Sequence, residues 1–182
     1  MRLCLEARTG VLKMLLLILV ISLWNFRTLA MPFLHLRSLG LFPQRNEKEF
    51  IGIGAVIRDS SGRVVAAISK PMQGKFSVEL GELLAFREGL LLAKRNNLAI
   101  FSAEVDVVLV VSQINSDSIV LGDAMFLIYD IKELCVKVGG CYCQAIPRLA
   151  NSLAHGLVKL AISLGEEFVW WNVNPSCIFP GC

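Results

Sequence analysis

Apolar positions follow the clearest pattern between Phe76 and Ala93, where leucines recur at the three- and four-residue spacing of a helix. We therefore expect one broad face of this helix to be buried. Ser77 is the predicted N-cap, because its hydroxyl can accept a hydrogen bond from a first-turn amide. Glu79 lies near the N-terminus of the helix, where the macrodipole stabilises a negative charge, and this is sufficient to explain its position. Leucines surround Glu82, and a carboxylate in an apolar surface needs a partner, for which a metal ion is one candidate.

The remaining pattern predicts alternating strands and helices around this helix. Turn residues separate two β-rich runs, 50–57 and 63–69, which indicates a hairpin. Gly52 and Gly54 lie inside the first run, where glycine is typical of a bulge or of a close backbone approach. Farther along the chain we predict a strand ending at Asp106, a helix at 124–137 capped by Asp123, a strand at 141–148, a helix at 152–164, and an aromatic strap or short strand at 168–172.

The N-terminal part of the chain carries a dense apolar run at residues 13–24, behind a basic head. The run is apolar on every side, so we predict a helix that does not pack in the core of the domain. Three interpretations of residues 1–30 stay open: a signal peptide, a short membrane anchor in contact with lipid through residues 11–24, or a segment joined by a wrong start or exon. The domain itself is predicted at 31–178.

Composition limits the function classes only loosely. The chain has 182 residues, enough for one domain with a sizeable core. Its net charge of +3 is too small to indicate nucleic-acid binding by itself. The six cysteines include no C-x-x-C pair, which argues against a zinc ribbon or a thioredoxin-type site. We expect reduced, mostly buried thiols.

Four short motifs follow one another in a recognisable order. They are the glycine hairpin, the helix with Glu82, the strand ending at Asp106, and a run in which Arg148, Asn151, Ala154 and His155 are spaced R-x-x-N-x-x-A-H. This order resembles the ribonuclease H superfamily, and in particular the plant ribonuclease H-like domain, from about residue 33 to residue 178. The resemblance implies an α/β fold with a mixed sheet flanked by helices. It also implies a helix ending at residue 115, although the β-branched residues there favour a strand.

The resemblance implies a metal-dependent site. In that family, carboxylates hold two Mg²⁺ (or Mn²⁺) ions that promote cleavage of the RNA strand of an RNA–DNA hybrid. By motif, Glu82 and Asp106 correspond to two of the metal ligands. If residues 33–38 form the first strand rather than a linker, Ser38 stands where the family has its first aspartate. His155 stands at the acidic position of the last helix, so the site is expected to lack negative charge.

Two functions follow from this comparison. One is a hybrid-cleaving endonuclease with an impaired metal site, and the other is a non-catalytic nucleic-acid-binding module or transposon-derived remnant. The resemblance makes Arg148 and Asn151 candidate nucleic-acid contacts, although Arg148 equally fits a solvated strand end and Asn151 fits a helix cap or a loop brace. We expect a monomer without a small-molecule cofactor. It would act in the nucleus or cytoplasm, or at a membrane if the N-terminal segment is real.

Overall fold

The computed structural model describes the backbone of residues 18–25, and residues 50–117 and 122–172 with their side chains. Strands and helices alternate along most of these residues, and a short 3₁₀ turn at Arg148–Asn151 precedes the last helix. The elements are β1 (Ile18–Asn25), β2 (Phe50–Arg58), β3 (Val64–Gln73), α1 (Val78–Arg95), β4 (Ser102–Val105), α2 (Val108–Asn115), α3 (Ala124–Lys137), β5 (Tyr142–Ala145), α4 (Ser152–Leu164) and β6 (Phe168–Trp171).

The six strands form one mixed sheet in the order β5-β4-β1-β2-β3-β6. β1 is parallel to β4 and antiparallel to β2, and β5 is parallel to β4. β3 pairs with both β2 and β6 in antiparallel fashion. The predicted mixed sheet with a glycine hairpin is therefore confirmed. The strands before Asp106 and around Tyr142 run parallel to the central strand β1.

The apolar N-terminal run differs from its prediction. Ile18–Asn25 is a strand in the middle of the sheet, so the helix predicted there is wrong, and part of the segment 1–30 belongs to the sheet. Both α1 and α4 pack against this strand. A strand covered on both sides reads as a continuous apolar run, which periodicity alone does not distinguish from a helix.

Two other predictions about the N-terminal part of the chain fall outside the described residues. They are the strand at 33–38 with Ser38, and the parts of the segment 1–30 that flank β1. None of the described helices combines the length and the apolarity that a membrane span requires.

Three helices, α1 to α3, cover one face of the sheet, and their predicted bounds hold well. The amide of Leu80 donates to Ser77 Oγ at 3.2 Å, which confirms the N-cap of α1. The helix predicted after Asp106 is also confirmed, as α2. Asp123 precedes α3, but its side chain makes no capping hydrogen bond. The core between this layer and the sheet is built around Leu83, Phe86, Leu90, Ile131 and other buried aliphatic residues.

The opposite face is covered by α4, which lies unusually close to β2. A Cβ atom added to Gly52 would lie 2.4 Å from the carbonyl oxygen of Val158, and one added to Gly54 would lie 2.4 Å from that of Ala154. The glycines therefore serve a close backbone approach, one of the two roles predicted for them. Ser69 adds a hydrogen bond from its Oγ to the carbonyl oxygen of Leu157, at 2.7 Å. These contacts fix α4, and with it the N-terminal turn that reaches Asp106.

Candidate functional site

The site is centred on Asp106, the residue that directly follows β4. Its Oδ1 accepts a hydrogen bond from Asn151 Nδ2 at 3.2 Å. Its Oδ2 lies 3.3 Å from His155 Nε2, and only 6% of the Asp106 side chain is exposed. The structure thus brings together three residues that the sequence singled out separately.

The two partners of Asp106 come from one turn of backbone. Asn151 ends the 3₁₀ turn and is fully buried, and His155 follows four residues later in α4. Residues spaced by four lie on the same side of a helix, so both side chains face the end of β4. The Asn151 side chain makes no capping bond to α4. Its amide instead donates to Asp106.

The charge of Asp106 depends on this pair of partners. Burial by itself raises the pKa of the carboxyl group, but the close approach of His155 and the hydrogen bond from the Asn151 amide outweigh it and hold the pKa below its usual value. A carboxyl group with a lowered pKa is ionised near neutral pH. The site therefore contains a buried carboxylate that is stabilised by protein donors.

We expect Asp106→Asn to lower the free energy of unfolding by about 1 kcal/mol at pH 7, because it removes the negative charge that the Asn151 hydrogen bond and the nearby His155 stabilise. Since the pKa of Asp106 is lowered on folding, its contribution is complete above the carboxyl pKa of the unfolded chain, near 4. It is lost as the pH falls through the lower value of the folded chain.

Urea unfolding of both proteins at a series of pH values measures this difference. The gap between them should close as the pH falls below about 4. A more stable Asp106→Asn protein would show that Asp106 faces other carboxylates rather than donors, because neutralising one member of a repelling pair stabilises the fold.

The other predicted site residues have less decisive surroundings. Glu82 lies in the second turn of α1 and is 2% exposed. Arg148 is exposed at the start of the 3₁₀ turn. Ser38 lies outside the described residues. The catalytic, metal-binding and nucleic-acid-binding roles given to these residues, and to Asp106, Asn151 and His155, stay predictions.

The described residues do not fit the divalent metal that the resemblance implies. Both oxygens of Asp106 already face protein donors. Within 50–117 and 122–172, no group of three or more His, Cys, Asp or Glu side chains is arranged to hold a metal ion. Mg²⁺ binds through several oxygen ligands, and His155 supplies nitrogen at the position next to Asp106.

A polar cluster that was not predicted from the sequence lies beside this site. Gln144 Nε2 donates to Glu104 Oε1 at 3.1 Å, and Arg58 reaches across β1 to within 3.9 Å of Glu104 Oε2. Glu104 lies two residues before Asp106, and side chains two apart on a strand point to the same side of the sheet. The two-residue spacing of Glu104 and Asp106 was visible in the sequence. It could not show the order of the strands in the sheet, and it is this order that brings Arg58 and Gln144 close to Glu104.

Solved structures resemble this fold over most of its length. The N-terminal RNase H domain of rv2228c from Mycobacterium tuberculosis matches with a TM-score of 0.62 and 17% identity, over 82% of this chain and 95% of that one. RNase H1 from the archaeon Halobacterium salinarum gives 0.61 and 16%, over 80% and 96%. LC11-RNase H1, isolated from compost and solved in complex with an RNA/DNA hybrid, gives 0.60 and 19%, over 82% and 98%. At these identities the likeness shows the fold.

A family model adds a comparison at the level of sequence. No curated protein matches the chain. The model of the reverse transcriptase-like family matches residues 44–161, which include Glu82, Asp106, Asn151 and His155. That span is more than half of the 182 residues. The chain therefore belongs to the reverse transcriptase-like family and has the fold of the RNase H domains.

Proposed function

We propose that the protein binds nucleic acid, with RNA–DNA hybrid as its first ligand, and that it cleaves the RNA strand weakly or not at all. The observation that carries this proposal is the surroundings of Asp106, whose two carboxylate oxygens face Asn151 and His155. Cleavage by two metal ions depends on several anionic ligands held in place. A carboxylate that accepts a hydrogen bond from an amide and lies 3.3 Å from an imidazole nitrogen is poorly prepared for that task.

Binding makes fewer demands than cleavage. It needs positive and hydrogen-bonding groups that face phosphates and sugars, without a metal of fixed geometry. Arg148 is exposed next to Asn151, and Gln144 and Arg58 lie on the same side of the sheet as Asp106. LC11-RNase H1, which shares this fold, was solved with RNA/DNA hybrid bound. We expect the protein to meet this ligand in the nucleus or the cytoplasm. We also expect it to bind the ligand as a monomer.

Fluorescence anisotropy with a labelled hybrid duplex tests the binding part of the proposal. We expect binding at low salt that weakens steeply as salt is added, since phosphate contacts release counterions. Arg148→Ala should weaken binding by about tenfold, which corresponds to about 1.4 kcal/mol. Arg95→Ala is the matched control, because Arg95 is also an exposed arginine but ends α1 on the other face of the sheet. Absence of binding at low salt would remove the nucleic-acid proposal.

A cleavage assay on the same hybrid, with Mg²⁺ and then with Mn²⁺, tests the second part. The parent protein should cleave slowly or not at all. His155→Asp places a second carboxylate beside Asp106, where mutual repulsion favours a bound cation. This variant should cleave about tenfold faster than the parent, and adding Glu82→Gln should remove the gain. Rapid cleavage by the parent, abolished by Glu82→Gln in a protein that still melts cooperatively, would make it a working endonuclease.

A further inference from the structure

Three thiols converge where α3 turns back into the sheet. Cys135 lies in the last turn of α3, Cys141 directly precedes β5, and Cys143 lies within β5. Gly139 and Gly140 connect these elements with φ angles of 113° and 85°, which glycine adopts without strain. The cluster is separate from Asp106 and its partners, and the proposed function makes no use of it.

The turn holds Cys135 and Cys141 side by side. The carbonyl oxygen of Cys135 accepts hydrogen bonds from the amides of Gly140, at 2.8 Å, and of Cys141, at 3.3 Å. The two thiols also perturb each other, since the pKa of Cys141 is lowered and that of Cys135 is raised by the other thiol. A direct backbone hydrogen bond between the two residues suits the Cα separation of about 4.4–6.8 Å that disulfides span.

The third thiol is a poor partner for Cys141. Cys143 is buried in the core, and its carbonyl oxygen is held by Asn115 Nδ2 at 2.8 Å. It lies only two residues after Cys141, and residues two apart along an extended strand are separated by about 6.6 Å. Their Cβ atoms are then farther apart than the roughly 3.5–4.5 Å that a disulfide needs.

We propose that Cys135 and Cys141 are a redox-modifiable pair that closes into a reversible disulfide when the protein meets a hydroperoxide. The Cys141 thiolate attacks the peroxide, the O–O bond breaks, and the sulfur becomes a sulfenic acid. The Cys135 thiol then attacks that sulfur, an S–S bond forms, and water leaves. Two thiols are oxidised by two electrons in all, and one hydrogen peroxide is reduced to two waters.

The order of attack follows from the surroundings of each thiol. Cys141 is partly exposed, whereas Cys135 and Cys143 are buried. The hydrogen bond from the Cys135 thiol lowers the pKa of Cys141 against the opposing effect of burial. The same hydrogen bond raises the pKa of Cys135, and burial with the nearby charge of Cys141 raises the pKa of Cys143 to about 12. Since the thiolate is the nucleophile, Cys141 reacts first.

Peptide mapping of the full chain tests the pairing directly. The protein is treated with a small excess of hydrogen peroxide, its remaining thiols are alkylated, and it is digested with trypsin. Cleavage after Lys132, Lys137 and Arg148 separates the two cysteines into peptides 133–137 and 138–148. We expect these two peptides to be linked, with fragmentation placing the bond at Cys141 and dithiothreitol releasing it. A link at Cys143, or no link while Cys141 is oxidised to sulfinic acid, would overturn the proposal.

Two substitutions separate this pair from a general sensitivity to oxidation. Cys135→Ser removes the resolving thiol, so Cys141 should proceed to sulfinic acid. Cys143→Ala is the matched control and should keep the 135–141 link. Closing the pair should also raise the Tm of the parent by about 5 °C, a shift that dithiothreitol reverses. An oxidised parent with unchanged Tm and no linked peptide contradicts the proposal even if a variant fails to fold.

Discussion

A chain that begins at Met31 is expected to be unfolded or insoluble at 25 °C. It lacks β1, which pairs with β2 along its whole length and with β4 over four residues. Without β1 the sheet is divided, and the backbone groups of β2 and β4 that face each other across the gap lose their partners. The helices α1 and α4 also lose a strand on which both pack. A typical domain is stable by only about 5–15 kcal/mol, too little to absorb these losses.

Circular dichroism and amide NMR dispersion measure the outcome. A chain that begins at Ile18 is the matched control, because it keeps β1 and each strand pairing of the sheet. Both truncations remove apolar residues. If only the shorter chain fails to fold, the failure is therefore due to the absence of β1. A soluble, cooperatively melting chain from Met31 would show that β1 is dispensable. It would support the prediction, made from the sequence, that the apolar run does not pack in the core of the domain.

Gly54→Val is expected to destabilise the protein by about 3 kcal/mol or more, near the upper end of the cost of overpacking a core. An added Cβ would lie 2.4 Å from the carbonyl oxygen of Ala154 and 3.0 Å from Leu157 Cβ. A backbone carbonyl cannot rotate away, so α4 has to lift off β2. The same movement draws Asn151 and His155 away from Asp106, and any binding that depends on this site should weaken with the stability.

Urea unfolding of the parent, Gly54→Ala and Gly54→Val gives the series, in which the loss should grow with side-chain size. Gly62→Ala separates steric from conformational cost, since Gly62 has a φ angle of 80° but no atom within 4 Å of the added Cβ. It should cost about 1–2 kcal/mol, the penalty for a left-handed backbone alone. Equal losses at residues 54 and 62 would mean that the close approach of α4 contributes nothing.

The sequence predicted most elements because their patterns are local. The helix that follows Ser77 and the helix at 124–137 each have a stripe of leucine or mixed apolar residues at helical spacing. Such a stripe indicates a helix with one buried face. The helix Val108–Asn115 was predicted through the family resemblance alone, because its β-branched residues favour a strand. β1 was mistaken for a helix because a run that is apolar on every side carries no periodicity. What distinguishes it is the pair of strands on either side, which its own residues do not encode.

The site was predicted as a set of residues rather than as an arrangement. The motif singled out Asp106, Asn151 and His155, but it could not show that the asparagine and the histidine occupy both oxygens of the aspartate. Glu104 escaped notice because a charged residue in a short strand is common. Its importance depends on Arg58 and Gln144, which arrive from strands far away in sequence. The sequence shows which residues share a face of one helix or strand. It does not show which residues of different elements are in contact, because these contacts depend on the order of the strands in the sheet.

The position of β1 in the sheet has a consequence for how the chain acquires its structure. Ile18 pairs with Ser102, 84 positions later in the chain. During synthesis β1 can form its ladder with β2 early, but its other edge stays open until β4 has been made. Contacts so distant in sequence slow folding and leave apolar surface exposed meanwhile. The strand whose apolarity resembles a membrane segment thus waits 84 positions of synthesis for its second neighbour, which makes a nascent chain stalled before β4 a species that needs a chaperone.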